Sequence, residues 1–299
     1  MSTVHTTPRG AVYDRGYRPY QGPRGGRREA RLALWRLSVR RALGLRRSWR
    51  QKVAPWLLLA AATVPAVVYV GMAYSIRNDP YEMARFDFIT YREYFNVSTL
   101  LVLFVALTAP DVVCPDRARR VLPLLFSRPL TGVDYVLAKV GAITTVVFGF
   151  VVVPQVVLFV GHMLVADGAL DYFTDNAEVL WQVPVAAALF AVYYAVLGVA
   201  VASLTDRRVV AGVAIAGVTF VSGIVVAALA GGDGTTPFGV LNLLGLPLDL
   251  RDLVFEGELT TESALHDVDG GEGLAVLGYT AVVLVGAAIL LHRYREIDL

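Results

Sequence analysis

Six long apolar runs, and the side of them on which the charges fall, constrain this chain more than any other feature. The runs are Val53–Ile76, Phe95–Val113, Val140–Ala166, Trp181–Leu204, Val209–Ala230 and Gly273–His292. Each has about 20 residues or more, which is what a helix rising 1.5 Å per residue needs to cross about 30 Å of hydrocarbon. Of the 27 Lys and Arg residues, 14 lie in Met1–Lys52, five in Cys114–Lys139, two in Thr205–Arg208 and two in Arg293–Leu299. The alternate connections, Arg77–Tyr94, Asp167–Leu180 and Gly231–Glu272, hold three, none and one. Short loops rich in Lys and Arg stay in the cytoplasm. The pattern therefore predicts an all-α integral membrane protein of the cell membrane, with six transmembrane helices and both termini inside.

The opposite side is acidic. Asp167, Asp171, Asp175 and Glu178 fill one short loop, and the longer loop 231–272 carries Asp249, Asp252, Glu256 and six further carboxylates. These carboxylates lack the spacing of a calcium loop, so a solvated acidic surface is expected of them and no metal site. At 56% hydrophobic and 17% charged residues, little material remains for a separate soluble domain. The single Cys114 excludes an intramolecular disulfide. The 52 residues before the first run are too long and too basic for a signal-peptide n-region, so the first span is expected to stay as an anchor.

The amino-terminal segment divides in two. Residues 1–26 are rich in Gly, Pro, Arg and Tyr and carry no apolar period, so an extended stretch is expected. Residues 27–52 predict an amphipathic helix on the inner leaflet. Leu32, Trp35, Val39 and Leu43 recur at three- and four-residue spacing, Arg40 and Arg41 reach for phosphates, and Trp35 and Trp49 are interface residues. Lipid beside a basic juxtamembrane segment accounts for its charge without a nucleic-acid partner.

No Lys, Arg, Asp or Glu lies deep in any run, which argues against a proton relay or coupled ion pathway. Gln155, beside Pro154, is the mid-span polar residue expected to face a partner helix or a translocation path. Ala187, Ala191 and Ala195, and likewise Gly212 and Ala216, form small-residue ridges that permit close helix approach within one subunit or between two. No P-loop, zinc-protease or nucleophile-elbow motif occurs, so an enzyme is not expected and the chain is expected to hold no cofactor of its own.

The inner connection 114–139, reading CPDRARRVLPLLFSRPLTGVDYVLAK, is too long and too apolar for a simple connector. An exposed apolar run between basic residues calls for a protein surface to bury against. Here the chain resembles the permease subunits of type-two ATP-binding-cassette transporters, whose stretch LPLLLSRPVSR-x-x-Y-x-x-x-K forms a cytoplasmic coupling helix. The matching positions are Leu122, Pro123, Leu124, Leu125, Ser127, Arg128, Pro129, Tyr135 and Lys139, with Asp116 in place of the family's acidic residue. The family often has Glu and then Gly-Thr ahead of the Leu-Pro run, where this chain has Asp116-Arg117-Ala118-Arg119-Arg120-Val121.

The resemblance implies one permease domain, residues 53–299, that pairs with a second permease subunit and with a separate ATPase carrying the ATP and Mg. It implies export. It also implies short outer helices or a re-entrant hairpin within 237–255, where the length forbids two further crossings. A secondary transporter and a non-transporting membrane anchor are the rival readings of the same residues.

Overall fold

The computed structural model describes residues 26–45, 49–77, 90–121, 130–231 and 234–295, and for residues 49–52 and 96 the backbone only. Every regular element among them is helical. In chain order these are α1 (Arg27–Ala42), α2 (Trp49–Ile76), a 3₁₀ turn (Glu93–Val97) and α3 (Ser98–Ala118). There follow α4 (Gly132–Val165), α5 (Ala169–Asp175), α6 (Val179–Ser203), α7 (Arg208–Ala230), a second 3₁₀ turn (Pro237–Leu241), α8 (Leu246–Phe255) and α9 (Gly271–Arg295). Six of them, α2, α3, α4, α6, α7 and α9, are long and apolar enough to cross a membrane.

Two of the six form the centre. α6 and α3 are mostly buried, whereas α2, α7 and α9 bury only a small part of their apolar surface inside the chain. Small residues make this possible. Ala187, Ala191 and Ala195 of α6 are fully buried in the main core, so that ridge serves packing within the chain. Gly212 meets the backbone of α3 at Ala106, which places the second ridge within the chain as well. The outward valines of α7, among them Val209, Val213 and Val221, stay exposed.

α4 has 34 residues. At 1.5 Å per residue it is about 50 Å long, some 20 Å more than the hydrocarbon needs. It starts eight residues before the apolar run because Thr131 and Asp134 close a capping box. The Thr131 hydroxyl accepts from the Asp134 N–H, and the Asp134 carboxylate accepts from the Thr131 N–H at 3.1 Å. Reciprocal capping satisfies two otherwise orphaned donors, so a helix can begin in polar sequence that hydropathy alone does not mark.

α1 is shorter than the expected 27–52. It ends at Gly44, whose φ of 67° lets the N–H groups of Gly44 and Leu45 return to the carbonyls of Arg41 and Arg40. This is a Schellman stop. The stripe also turns out differently. Leu34, Ser38 and Ala42 are the buried residues, with Trp35, Val39 and Leu43 packed beside them against the bundle, while Leu32 is exposed. Trp35 lies against Gly141 of α4. Leu34, Trp35 and Val39 of α1 thus serve the protein core, while Leu32 and Leu37 stay exposed, and the side chain of Trp49 lies outside the described residues.

Between α7 and α9 the chain folds back inward. The Leu243 N–H donates to the Ser222 hydroxyl at 3.0 Å, eight residues before the end of α7. A Cβ placed on Gly278, seven residues into α9, would come within 2.9 Å of Leu246 and 3.3 Å of the Val240 carbonyl. Both markers put the hairpin about 10–12 Å below the ends of its neighbouring helices. Irregular backbone at such depth must be satisfied by protein. Asn242 does much of this, its side chain accepting from the Gly245 N–H and its carbonyl from the Leu246 N–H. The segment is a hairpin of two short helical pieces folded back between α7 and α9.

Candidate functional site: a charged clamp at the roots of the inner loop

Three of the residues singled out in the inner loop converge at its two roots. Asp116 lies in the last turn of α3, and Tyr135 and Lys139 lie in the first two turns of α4. The Lys139 ammonium sits 2.6 Å from one Asp116 oxygen, and the Arg41 guanidinium of α1 sits 2.6 Å from the other. The Tyr135 hydroxyl donates to the same carboxylate at 3.2 Å, and Lys139 also donates to the Val112 carbonyl at 2.9 Å. Asp116, Tyr135 and Lys139 are all buried, Lys139 completely so. The Tyr135 ring packs on Tyr294 of α9 at 4.8 Å between centroids, which brings the sixth span to the cluster.

A second set of charges repeats the arrangement one step outward. Arg27 bonds Asp134 at 2.5 Å and the Thr131 hydroxyl at 3.0 Å, and Arg31 approaches Asp134 at 3.7 Å. Burial of Asp134 by α1 makes this a partner for an otherwise solvated arginine, and the Arg27 guanidinium is held protonated by hydrogen bonding and attraction to that carboxylate. α1 therefore grips the end of α3 through Arg41 and the start of α4 through Arg27 and Arg31. α3 stops at Arg120, in the left-handed region at φ 51°, where the Val121 N–H reaches back to the Asp116 carbonyl. Asp111 and Arg208, 2.7 Å apart, tie the same end of α3 to α7.

Leu122, Pro123, Leu124, Leu125, Ser127, Arg128 and Pro129 lie outside the described residues. Arg40 is exposed on α1 and joins no ion pair among the described residues. Gln155 is buried, and its amide donates to the Tyr91 carbonyl at 2.9 Å, holding the backbone that enters α3. Tyr94 of the same entry segment donates to the Ala62 carbonyl and accepts from the Ala66 N–H at 3.1 Å. Gln155 thus bridges two elements of one chain.

The opposite end of the bundle corrects one expectation. Asp249 and Asp252 are buried, and neither belongs to a solvated acidic surface. Asp252 is held by Arg92 at 2.9 Å, by Arg251 at 2.6 Å and by the Thr260 hydroxyl at 2.8 Å. Arg92 also reaches Glu256 at 3.1 Å. A small cavity of about 140 Å³ beside them has Asn242, Asp249, Glu262 and Ser263 among its lining residues.

Burial raises the Asp249 carboxyl to about 6, with the charge on Asp252 adding to the rise and Ser263 and Arg251 opposing it. A carboxyl bound to its proton more tightly in the folded state makes stability fall as pH rises between the ordinary value of 3.8 and about 6. Thermal unfolding in detergent across that window is expected to show this slope. Asp249→Asn should abolish its share and leave the variant more stable than the parent at neutral pH.

Comparison with protein families, with curated proteins and with solved structures returns no match for this chain.

Proposed function

We propose that this chain is the membrane-spanning permease subunit of an ATP-driven transporter, and that a separate ATPase engages the inner loop through residues 122–129. The observation that carries the reading is the buried cluster of Arg41, Asp116, Tyr135 and Lys139 at the base of that loop. A loop that receives force must pass it to the spans. Roots joined by a desolvated charge network move together, because separating them would strand a buried ion. Through this cluster a displacement of the loop reaches α3, α4 and α1 as one body, and through Tyr294 it reaches α9. The chain itself needs no chemistry for this, only two arrangements of its helices between which ATP binding selects.

The orientation in this reading has both termini and the clamp in the cytoplasm, as the distribution of Lys and Arg supports. α1 rests on the inner side of the membrane with Arg28, Arg36 and Arg40 outward. Export from the cell is the direction, and a second permease subunit completes the transporter.

Affinity purification from cells in mild detergent tests the reading. A P-loop ATPase is expected to accompany the parent protein and to be lost from the double variant Leu124→Asp with Arg128→Glu. A well-folded parent that brings down no ATPase overturns the proposal.

A further inference from the structure

A groove of about 620 Å³ opens on the membrane-facing side of the bundle between α6 and α9, and every residue lining it is aliphatic or glycine. Its size falls within the range of small-molecule sites, about 300–1,000 Å³, but its side chains offer a ligand no hydrogen bond. Along α9 it runs from Leu277 to Ile289, twelve residues and therefore about 18 Å. One leaflet of hydrocarbon is about 15 Å deep. The hairpin between α7 and α9 roofs the groove at one end with Leu241. Ala281 and Gly286 keep the α9 wall low, and Val285 remains more than half exposed at the lip.

The other end points to charge. Val282, Gly286 and Ile289 line the groove, and Arg293 follows Ile289 by one turn on the same face of α9. Val201 lines the groove near the end of α6, and Arg207 follows in the connection to α7. Among the described residues neither Arg207 nor Arg293 takes part in an ion pair. We infer that the groove holds one acyl chain of an anionic phospholipid from the leaflet on the Arg293 side, with its phosphate between Arg207 and Arg293.

A lipid fits this placement better than a second copy of the chain. A two-fold axis normal to the membrane would bring the basic feet of two grooves together, whereas a phosphate meets them with opposite charge. The roof prevents a chain from entering from the hairpin side. A lipid must rise into the groove from the basic end, which fixes its direction. The assignment does not depend on what the protein transports, or on whether it transports anything.

The test uses the full chain in vesicles of neutral phospholipid doped with phosphatidylglycerol whose acyl chain carries a photoactivatable diazirine. After illumination, labelling is expected to concentrate on the peptides containing Leu197–Val201 and Leu277–Ile289. It should fall several-fold in Ala281→Phe and in Val285→Trp, the second of which substitutes an exposed residue and leaves the core untouched. A phosphatidylcholine probe with the same chain should label the groove less, and Arg207→Gln with Arg293→Gln should remove that difference. Labelling spread evenly over the exposed faces of α2 and α7, or unchanged by both groove-filling variants, overturns the inference. Equal labelling by the two probes in the parent protein overturns the headgroup assignment. Efficient disulfide cross-linking of Val285→Cys between two copies would show that protein covers the groove, and would overturn the inference as well.

Discussion

Asp116→Ala is expected to destabilise the fold by about 3–5 kcal/mol, the usual cost of removing one partner from a buried ion pair. The reason lies with what remains. Lys139 is fully buried two turns inside α4, and without Asp116 its ammonium keeps the Val112 carbonyl and the face of the Tyr135 ring but no counter-charge. Lys139→Met is expected to cost less, because the Asp116 carboxylate retains Arg41 and the Tyr135 hydroxyl. The double variant Asp116→Leu with Lys139→Met removes both charges and should recover most of what the first substitution loses, since apolar replacements of buried pairs are often neutral. Thermal unfolding in detergent would read the single loss as a fall on the order of 10 °C. Salt should change it little, because a buried pair is weakly screened. Arg27, which bonds Asp134 from the surface, supplies the contrast. Arg27→Ala should lower the unfolding temperature far less than Asp116→Ala does, and its effect should diminish further at high salt. An Asp116→Ala protein as stable as the double variant would refute the electrostatic account of the clamp.

How far such a site can be read from sequence depends on whether its signal is local. The spans were legible because hydropathy accumulates over 20 residues, so the run Val209–Ala230 and the helix Arg208–Ala230 differ by a single residue. The start of α4 was less so. Thr131-Gly-Val-Asp134 has the spacing of a capping box, Thr131 followed three residues later by an acid, yet it sits outside the apolar run and marks the helix only through that spacing. Asp116, Tyr135 and Lys139 were reached through a family-like motif, but their meeting point was not, because Arg41 comes from a helix 75 positions earlier. The pairing of Arg92 with Asp252 spans 160 positions, and nothing local in either segment announces it. Without such a partner a carboxylate between membrane spans reads as solvated, which is why Asp249 and Asp252 were misplaced. α1 misled for another reason. Its contact face centres on Leu34, Ser38 and Ala42, one register off the stripe of Trp35, Val39 and Leu43, and two of those three are small residues that a search for large apolar side chains passes over.

Small residues also set the second large effect, at the crossing of α3 and α7. A Cβ added to Gly212 would stand 2.7 Å from the carbonyl oxygen of Ala106. That atom belongs to helix backbone and cannot turn aside as a side chain does, so the two helices would have to separate. Gly212→Leu is expected to cost about 3 kcal/mol, near the upper end of ordinary overpacking, and Gly212→Ala about 1–2 kcal/mol. The same substitution five residues along α7 should have the opposite sign. Gly217 has no neighbouring atom within 4 Å of its would-be Cβ, so Gly217→Ala meets no obstacle. There the lower helix propensity of glycine dominates, and alanine should stabilise by up to about 1 kcal/mol. Parallel thermal unfolding of the two alanine variants separates the contributions, because backbone entropy changes equally in both and only the contact with α3 differs. If both alanines shift stability in the same direction, close approach of α3 and α7 at Gly212 is not what holds the fifth span to the bundle.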